Sequence, residues 1–395
     1  MADNAVQELS SPRSSPAPSA RAGVCVRCVM DTSDPEIRFD EQGVCNHCHA
    51  YDALAAREVR TGQEGKKALL RIVDRIKARG RGKQYDCVMG VSGGVDSTYL
   101  AYIAKQLGLR PLAVHMDNGW DSELAVSNIE KVLKTLSLDL YTEVLDWEEF
   151  RDLQLAFLKA SVSDAEIPTD HAIGAAIYRV ASERGIRYVL SGENVVTEGI
   201  LPGSWTYGVW DWKYIRSVHQ RFGSIPLRTF PHYSLADLFY YRAARQIRSI
   251  RPLNFLPYAK GEVMRVLQHE LGWKYYGGKH YESIYTRFFQ GYILPRKFGI
   301  DKRKAHLSTL ICSGQITRAA AFTELSCQSY TPELQRQDHE YVTKKLGLRP
   351  EEFAAIMALP IRTHRDFANA EAIFHRVRGL VHGARRLRLL PASPA

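Results

Sequence analysis

The sequence predicts an α/β protein, a parallel sheet with crossover helices, preceded by a four-cysteine module and followed by a mainly helical region. Three observations predict it. Short apolar runs alternate with helical patterns between residues 86 and 192, and such alternation specifies parallel strands joined by helices. Two Cys-x-x-Cys pairs stand upstream of that region. From Tyr258 onward apolar residues recur at three-to-four spacing instead, which is the helical period.

Taken in order, residues 1–22 form a tail. The stretch SSPRSSPAPSARA, residues 10–22, is rich in Ser, Pro and Ala and holds no apolar core of a secretory signal. That predicts a cytoplasmic protein with reduced thiols, and no apolar run approaches the length of a membrane span. The net charge of +10, from 53 Lys and Arg against 43 Asp and Glu, is concentrated near the C-terminus. Residues 296–304 carry five bases and one acid, and residues 362–388 carry seven arginines and two acids. A solvated basic face accounts for the second stretch, with a docking surface as the alternative.

Residues 23–60 form the cysteine module and its linker. Cys25 and Cys28 are followed by sixteen residues and then by Cys45 and Cys48, the paired-knuckle spacing of a tetrahedral structural zinc site. Disulfides are the alternative, disfavoured in a reducing compartment. His47 and His49 are close enough in sequence to replace one thiolate, whereas Cys87, Cys312 and Cys327 are isolated and read as small apolar side chains. A charged helical connector covers 51–81.

Strands are predicted at 86–91, 111–116, 138–144 and 187–192, and helices at 97–107, 122–136, 147–160 and 171–184. Ligands of such sheets bind beyond the carboxyl ends of the strands, which places the chemistry in 92–97, 117–120 and 192–199. In Ser92-Gly93-Gly94-Val95-Asp96-Ser97 the glycines admit close approach of the backbone to a ligand, and the following helix directs its first N–H groups at an anion. Ser92 and Ser97 add hydroxyl donors. Asp96 would repel a phosphate unless a cation lies between them, so magnesium is expected. No Walker lysine is present. In WKYYGGKH, residues 273–280, Trp273 replaces the first glycine and His280 the final Ser/Thr.

Ser-Gly-Gly-x-Asp-Ser after a buried strand resembles the PP-loop of the ATP pyrophosphatases, an adenine nucleotide α-hydrolase-like fold. The resemblance implies that the loop holds the β- and γ-phosphates while AMP passes to a substrate oxygen. It places the PP-loop domain at 61–250 and a helical substrate or partner region at 251–395. GENVVTEG, residues 192–199, puts Glu198 at the spacing of the magnesium-binding glutamate of NAD synthetases, with Gly192 at a strand end. KGEV, residues 260–263, resembles a Lys-x-Glu-Val stretch whose lysine, here Lys260, contacts phosphate.

A narrower resemblance covers about 25–359. The cysteine pairs, MGVSGGVDS, PTDHA, SGEN, DWKYI and above all residues 277–318 are similar to the N-acetyl sugar amidotransferases (WbpG-type) of lipopolysaccharide O-antigen synthesis. This implies conversion of an acetamido group on a UDP-linked sugar, a 2,3-diacetamido uronic acid, into an acetamidino group through an adenylated imidate. ATP, Mg2+ and a structural Zn2+ are implied. The chain shows no glutaminase nucleophile of its own, so a separate HisH-like glutaminase with a HisF-like ammonia-channelling partner is implied. His280 and Glu282 of KHYES are the candidates for proton transfer. Lys279, Arg287 and Arg303 are the candidates for the UDP phosphates and the sugar carboxylate. Asp117 and Asn118 are placed to read adenine or position metal, and Asp170 of PTDHA reads as a helix N-cap or a nucleotide contact.

Two rival readings remain. A tRNA-modifying PP-loop enzyme would share the zinc knuckles and the basic surface, but thiolating members rely on further paired cysteines. A non-catalytic scaffold for a glutaminase complex is the other, against which the intact Ser92, Asp96, Ser97 and Glu198 weigh.

Overall fold

The structure, a computed structural model, describes residues 23–328, 330–374 and 376. The tail 1–22 and the part of the basic stretch beyond residue 376 lie outside them.

The order of elements follows the predicted alternation. Helices α1 (Asn46–Glu58) and α2 (Gly62–Arg79) lead into β1 (Cys87–Gly90), α3 (Val95–Gln106), β2 (Pro111–Asp117), α4 (Glu123–Leu136) and β3 (Leu140–Val144). Next come α5 (Trp147–Ala160), α6 (Ile167–Glu183), β4 (Tyr188–Leu190), the short α7 (Val195–Glu198), α8 (Trp212–Phe222), α9 (Leu235–Ala243) and β5 (Arg248–Ile250). The rest is helical: α10 (Lys260–Leu271), α11 (Ile284–Phe288), α12 (Arg303–Cys312), α13 (Arg318–Ser326), α14 (Pro332–Leu346) and α15 (Pro350–Ala358). Helix α11 runs on into a π-helical stretch, Phe289–Phe298.

The five strands are parallel in the order β3-β2-β1-β4-β5. Strand β1 lies between β2 and β4, so its two neighbours connect to opposite sides and open a crevice at its carboxyl end. Side-chain alternation explains the layers. Cys87 and Met89 of β1 join the core beneath α2, α3, α4 and α10, while Val88 joins the core beneath α5, α6 and α8. On α2, Leu69, Ile72, Val73 and Ile76 form the buried stripe that a 3.6-residue period dictates. Helices α4 and α5 begin where Ser122 and Asp146 accept N–H bonds from Ala125 and Glu149, and each ends on a left-handed serine, Ser137 and Ser161.

Some elements differ from expectation. Helix α6 starts at Ile167, four residues before the predicted 171, because Pro168 fits the first turn of a helix. Asp170 is therefore inside that first turn and is not the N-cap, a position held by Glu166. Helices α8 and α9 and the three-residue β5 were not anticipated. No described helix is long and apolar enough to cross a membrane.

Candidate functional site

The cysteine module comes first in the chain. The sulfurs of Cys25, Cys28, Cys45 and Cys48 all lie within 4.8 Å of one another, and all four residues are buried. The Sγ–Sγ separations are 3.9 Å for Cys25–Cys48 and 3.7 Å for both Cys28–Cys45 and Cys45–Cys48. A disulfide needs about 2.05 Å, so the pairs are not disulfides. Zinc–sulfur bonds of about 2.3 Å in a tetrahedron give edges of about 3.8 Å, and the quartet fits that ion. His47 and His49 are not among these groups: His47 bonds to Asp34 at 2.6 Å and His49 to Asp40 at 2.8 Å. Cys312 is not isolated, since its sulfur is 3.7 Å from that of Cys48. Cys87 is buried in β1 and Cys327 is exposed.

At the carboxyl end of β1 the chain turns through Gly93, whose φ of +75° suits glycine, into α3. No side chain of Gly94 caps α3, and of its first N–H groups that of Val95 meets the Tyr276 hydroxyl. The two serines hold the turn: the hydroxyls of Ser92 and Ser97 are 3.2 Å apart, and Ser97 donates to the Gly94 carbonyl at 3.3 Å. Trp273 Nε1 donates to the Gly93 carbonyl at 2.9 Å. Gly192 lets β4 approach closely, since a Cβ there would lie 3.2 Å from the backbone nitrogen of Ser97.

Asp96 accepts from Asn194 Nδ2 at 3.1 Å and from the Tyr258 hydroxyl. Burial, then the charge of Glu198, raises the Asp96 carboxyl above the ordinary range. Glu198, on α7, lies 3.1 Å from Lys279 Nζ. Burial would raise its carboxyl, but Lys279 and His280 outweigh it and the net shift is downward. Two carboxylates whose charges bear on each other could hold a cation between them, and their donor chemistry suits magnesium. Lys260 opens α10, and burial followed by the neighbouring Lys279 lowers its ammonium.

The KHYES stretch arches over the loop. A Cβ on Gly94 would lie 3.3 Å from Glu282 Oε1 and 3.5 Å from the Tyr276 hydroxyl. His280 has a positive φ of 62° and sits with Nδ1 3.5 Å from Glu282 Oε1. Burial opposes ionisation of Glu282, yet His280 and Lys279 keep its carboxyl low. Glu282 Oε2 has no hydrogen-bond partner among the described residues. The stretch is tied to the sheet, because Ser122 N donates to the Glu282 carbonyl at 2.8 Å and Asp121 bridges Ser283.

The other sequence candidates are occupied locally. Asp117 and Asn118 accept from Gly119 N and Trp120 N at 2.9 and 3.1 Å, closing the turn after β2. Arg287 forms a two-point pair with Asp338, at 2.6 and 2.8 Å. Arg303 is paired with Asp301 and donates to the carbonyls of Glu324 and Cys327 at 3.2 and 3.0 Å. Both guanidinium groups are thus satisfied within the C-terminal helices. His306 was missed: its ring centroid is 5.8 Å from that of His280. Burial, then Lys279 and His280, keeps its imidazole neutral by moving the pKa well below the usual value. Asn194 and Tyr258 were quoted only as parts of stretches, and nothing local reveals that both reach Asp96.

Comparison with known proteins adds a family. Residues 282–380 match the family described as LPS biosynthesis protein WbpG-like, C-terminal domain. A glutamine-hydrolysing GMP synthase from Pyrobaculum aerophilum is 31% identical over 147 residues, 34% of this chain and 27% of that protein. The chain thus spans about a quarter of that relative's length. Among solved structures, an NH3-dependent NAD synthetase from Campylobacter jejuni covers 72% of this chain and 97% of its own, at 15% identity and a TM-score of 0.29. NMN synthetase from Francisella tularensis covers 53% and 94%, at 14% identity and 0.27. A predicted tRNA methyltransferase subunit from Methanocaldococcus jannaschii covers 46% and 75%, at 18% and 0.27. The parallel order 3-2-1-4-5 with the Ser-Gly-Gly-Val-Asp-Ser loop after β1 is the adenine nucleotide α-hydrolase-like fold, and residues 282–380 are similar to the WbpG-like C-terminal domain.

Proposed function

We propose that the chain is an ATP-dependent, AMP-forming amidotransferase that converts an acetamido group of a UDP-linked 2,3-diacetamido uronic acid to an acetamidino group. The observation that carries this reading is the Asp96–Glu198 acid pair at an uncapped helix N-terminus, ringed by Lys279 and Lys260. The sugar substrate rests on the WbpG-like match of the segment bearing Glu282.

An amide oxygen is a weak nucleophile, but attack on the α-phosphorus of ATP yields an adenylated imidate and pyrophosphate. The first N–H groups of α3 and the hydroxyls of Ser92 and Ser97 would receive the pyrophosphate, with Lys260 and Lys279 balancing its charge. Magnesium bound at Asp96 and Glu198 would supply Lewis-acid charge at those oxygens. Ammonia then adds to the imidate carbon and AMP departs. Glu282, held ionised beside His280, takes the proton that the attacking nitrogen sheds. Zinc at the four cysteines would be structural, since protein fills all four positions. Ammonia would come from a HisH-like glutaminase through a HisF-like partner.

The test supplies ATP, magnesium, ammonium chloride and the UDP-linked diacetamido uronic acid, and reads nucleotides and sugar by mass spectrometry. AMP with one sugar oxygen replaced by NH is the expected result. AMP formed only when tRNA replaces the sugar would move the protein to RNA modification. Absence of AMP in both, with a glutaminase partner also present, would leave the scaffold.

A further inference from the structure

Beside the cysteine quartet stands one thiol more than a tetrahedral zinc site can use. Cys312 ends α12, and its sulfur is 3.7 Å from that of Cys48, the same separation as Cys28–Cys45 and Cys45–Cys48 within the quartet. Four thiolates fill a structural zinc site, so Cys312 lies against a ligand without being needed as one. The five sulfurs also differ in access. Cys25, Cys28, Cys45 and Cys48 are each 0% exposed, whereas Cys312 is partly exposed. A small solute arriving from water therefore meets Cys312 before any of the four ligands.

The surroundings hold the extra thiol where it is. Helix α12 packs on α1, whose first turn carries Cys48, and Ser308 of α12 accepts the Val29 N–H at 3.2 Å. Cys312 itself rests on the apolar cluster that includes the quartet. To reach the length of a disulfide the two sulfurs must close by about 1.7 Å, a distance on the scale of a side-chain rotation.

We infer that Cys312 is an oxidation site: hydrogen peroxide or another small hydroperoxide converts it to a sulfenic acid, which Cys48 resolves as a disulfide, opening the zinc quartet. The inference rests on the thiol cluster and on zinc as its metal, and not on the amidotransferase reading. In the first step the Cys312 sulfur attacks one peroxide oxygen. An S–O bond forms, the O–O bond breaks, and the thiol proton leaves with the second oxygen as water. The Cys48 thiolate then attacks the sulfenic sulfur, forming the S–S bond and expelling hydroxide. Two sulfurs have lost two electrons to one peroxide, which ends as water and hydroxide. Three thiolates remain where a closed tetrahedral site needs four.

The test exposes the full, zinc-loaded chain to hydrogen peroxide, follows released zinc with a chromophoric chelator and maps disulfides by tandem mass spectrometry. Release of about one zinc per chain is expected, with a Cys48–Cys312 link, and dithiothreitol with added zinc should reverse both. Cys312→Ser should release zinc about 10-fold more slowly, because only buried, metal-held sulfurs remain in the cluster. Cys327→Ser, which removes an exposed thiol outside the cluster, should release it as fast as the parent. Equal release from Cys312→Ser overturns the inference, as does a disulfide confined to the quartet. Cys312→Ser that is folded by circular dichroism yet purifies without zinc would make Cys312 a ligand and overturn it as well. Should that variant not fold, the disulfide map of the oxidised parent decides alone.

Discussion

Lys279 Nζ stands 3.1 Å from the carboxylate of Glu198 and bears on Asp96 as well, so a side-chain cation holds the place where a divalent ion and phosphates would meet. Lys279→Gln is expected to raise the KM for ATP about 10-fold, the scale of one charge-assisted hydrogen bond. It should also raise the Glu198 carboxyl. In the parent that carboxyl is lowered, so the pair adds stability at neutral pH that is lost as pH falls through the lowered value, below about 4.3. Acid unfolding followed by circular dichroism should show Lys279→Gln losing less stability over that window than the parent. Parallel curves would mean that the pair is inert.

Asp96 shows the opposite balance. Its carboxyl is raised by burial and by Glu198, so its charge is unfavourable in the free protein and is relieved as pH falls toward the raised value. Asp96→Asn is expected to eliminate AMP formation while raising the thermal midpoint by about 2–4 °C. A variant that is inactive and less stable would mean that Asp96 supports the fold more than the site.

Metal content separates the five clustered cysteines. Cys25→Ser should lose the zinc of an otherwise stoichiometric protein, measured by plasma emission on the purified chain. Cys312→Ser should keep it, because Cys312 stands beside Cys48 but outside the quartet. Loss of zinc from both variants would make Cys312 a ligand.

Arg287 tests structure against substrate binding. Its side chain is 12% exposed and that of Asp338 is 6% exposed, and removing one member of such a buried pair costs about 3–5 kcal/mol. Arg287→Ala should lower denaturant stability by that amount with the KM for the UDP-sugar unchanged at temperatures where it stays folded. A raised sugar KM at unchanged stability would return Arg287 to the substrate.

What was legible in the sequence follows from what is local. Helices α3 and α4 were readable because each buries a stripe at the helical period, β1 and β2 because they are short, almost wholly buried apolar runs, and the phosphate loop because six adjacent residues carry it. Strand β5 was not, since three residues with mostly exposed side chains show no alternation. The start of α6 was misplaced because Pro168 reads equally as a break and as a first-turn residue. Asn194, Tyr258 and His306 stayed hidden for another reason. Tyr258 lies 162 residues from the Asp96 it contacts, and only the path of the chain in space brings them together. The same holds for Cys312, 264 residues from Cys48.

Helix α12 is one rigid rod. Its start carries Lys302 to Glu166 and His306 to the side of His280, and its end sets Cys312 against the thiol cluster. The next helix, α13, begins with Arg318, whose guanidinium binds the carbonyls of Cys25 and Cys28 at 2.7 and 2.9 Å. The knuckles near the beginning of the chain thus act as a footing for helices supplied from near its end. The cysteine module and the segment after residue 303 are therefore mutually dependent scaffolding: exchanging either one alone would pull the footing from beneath the other.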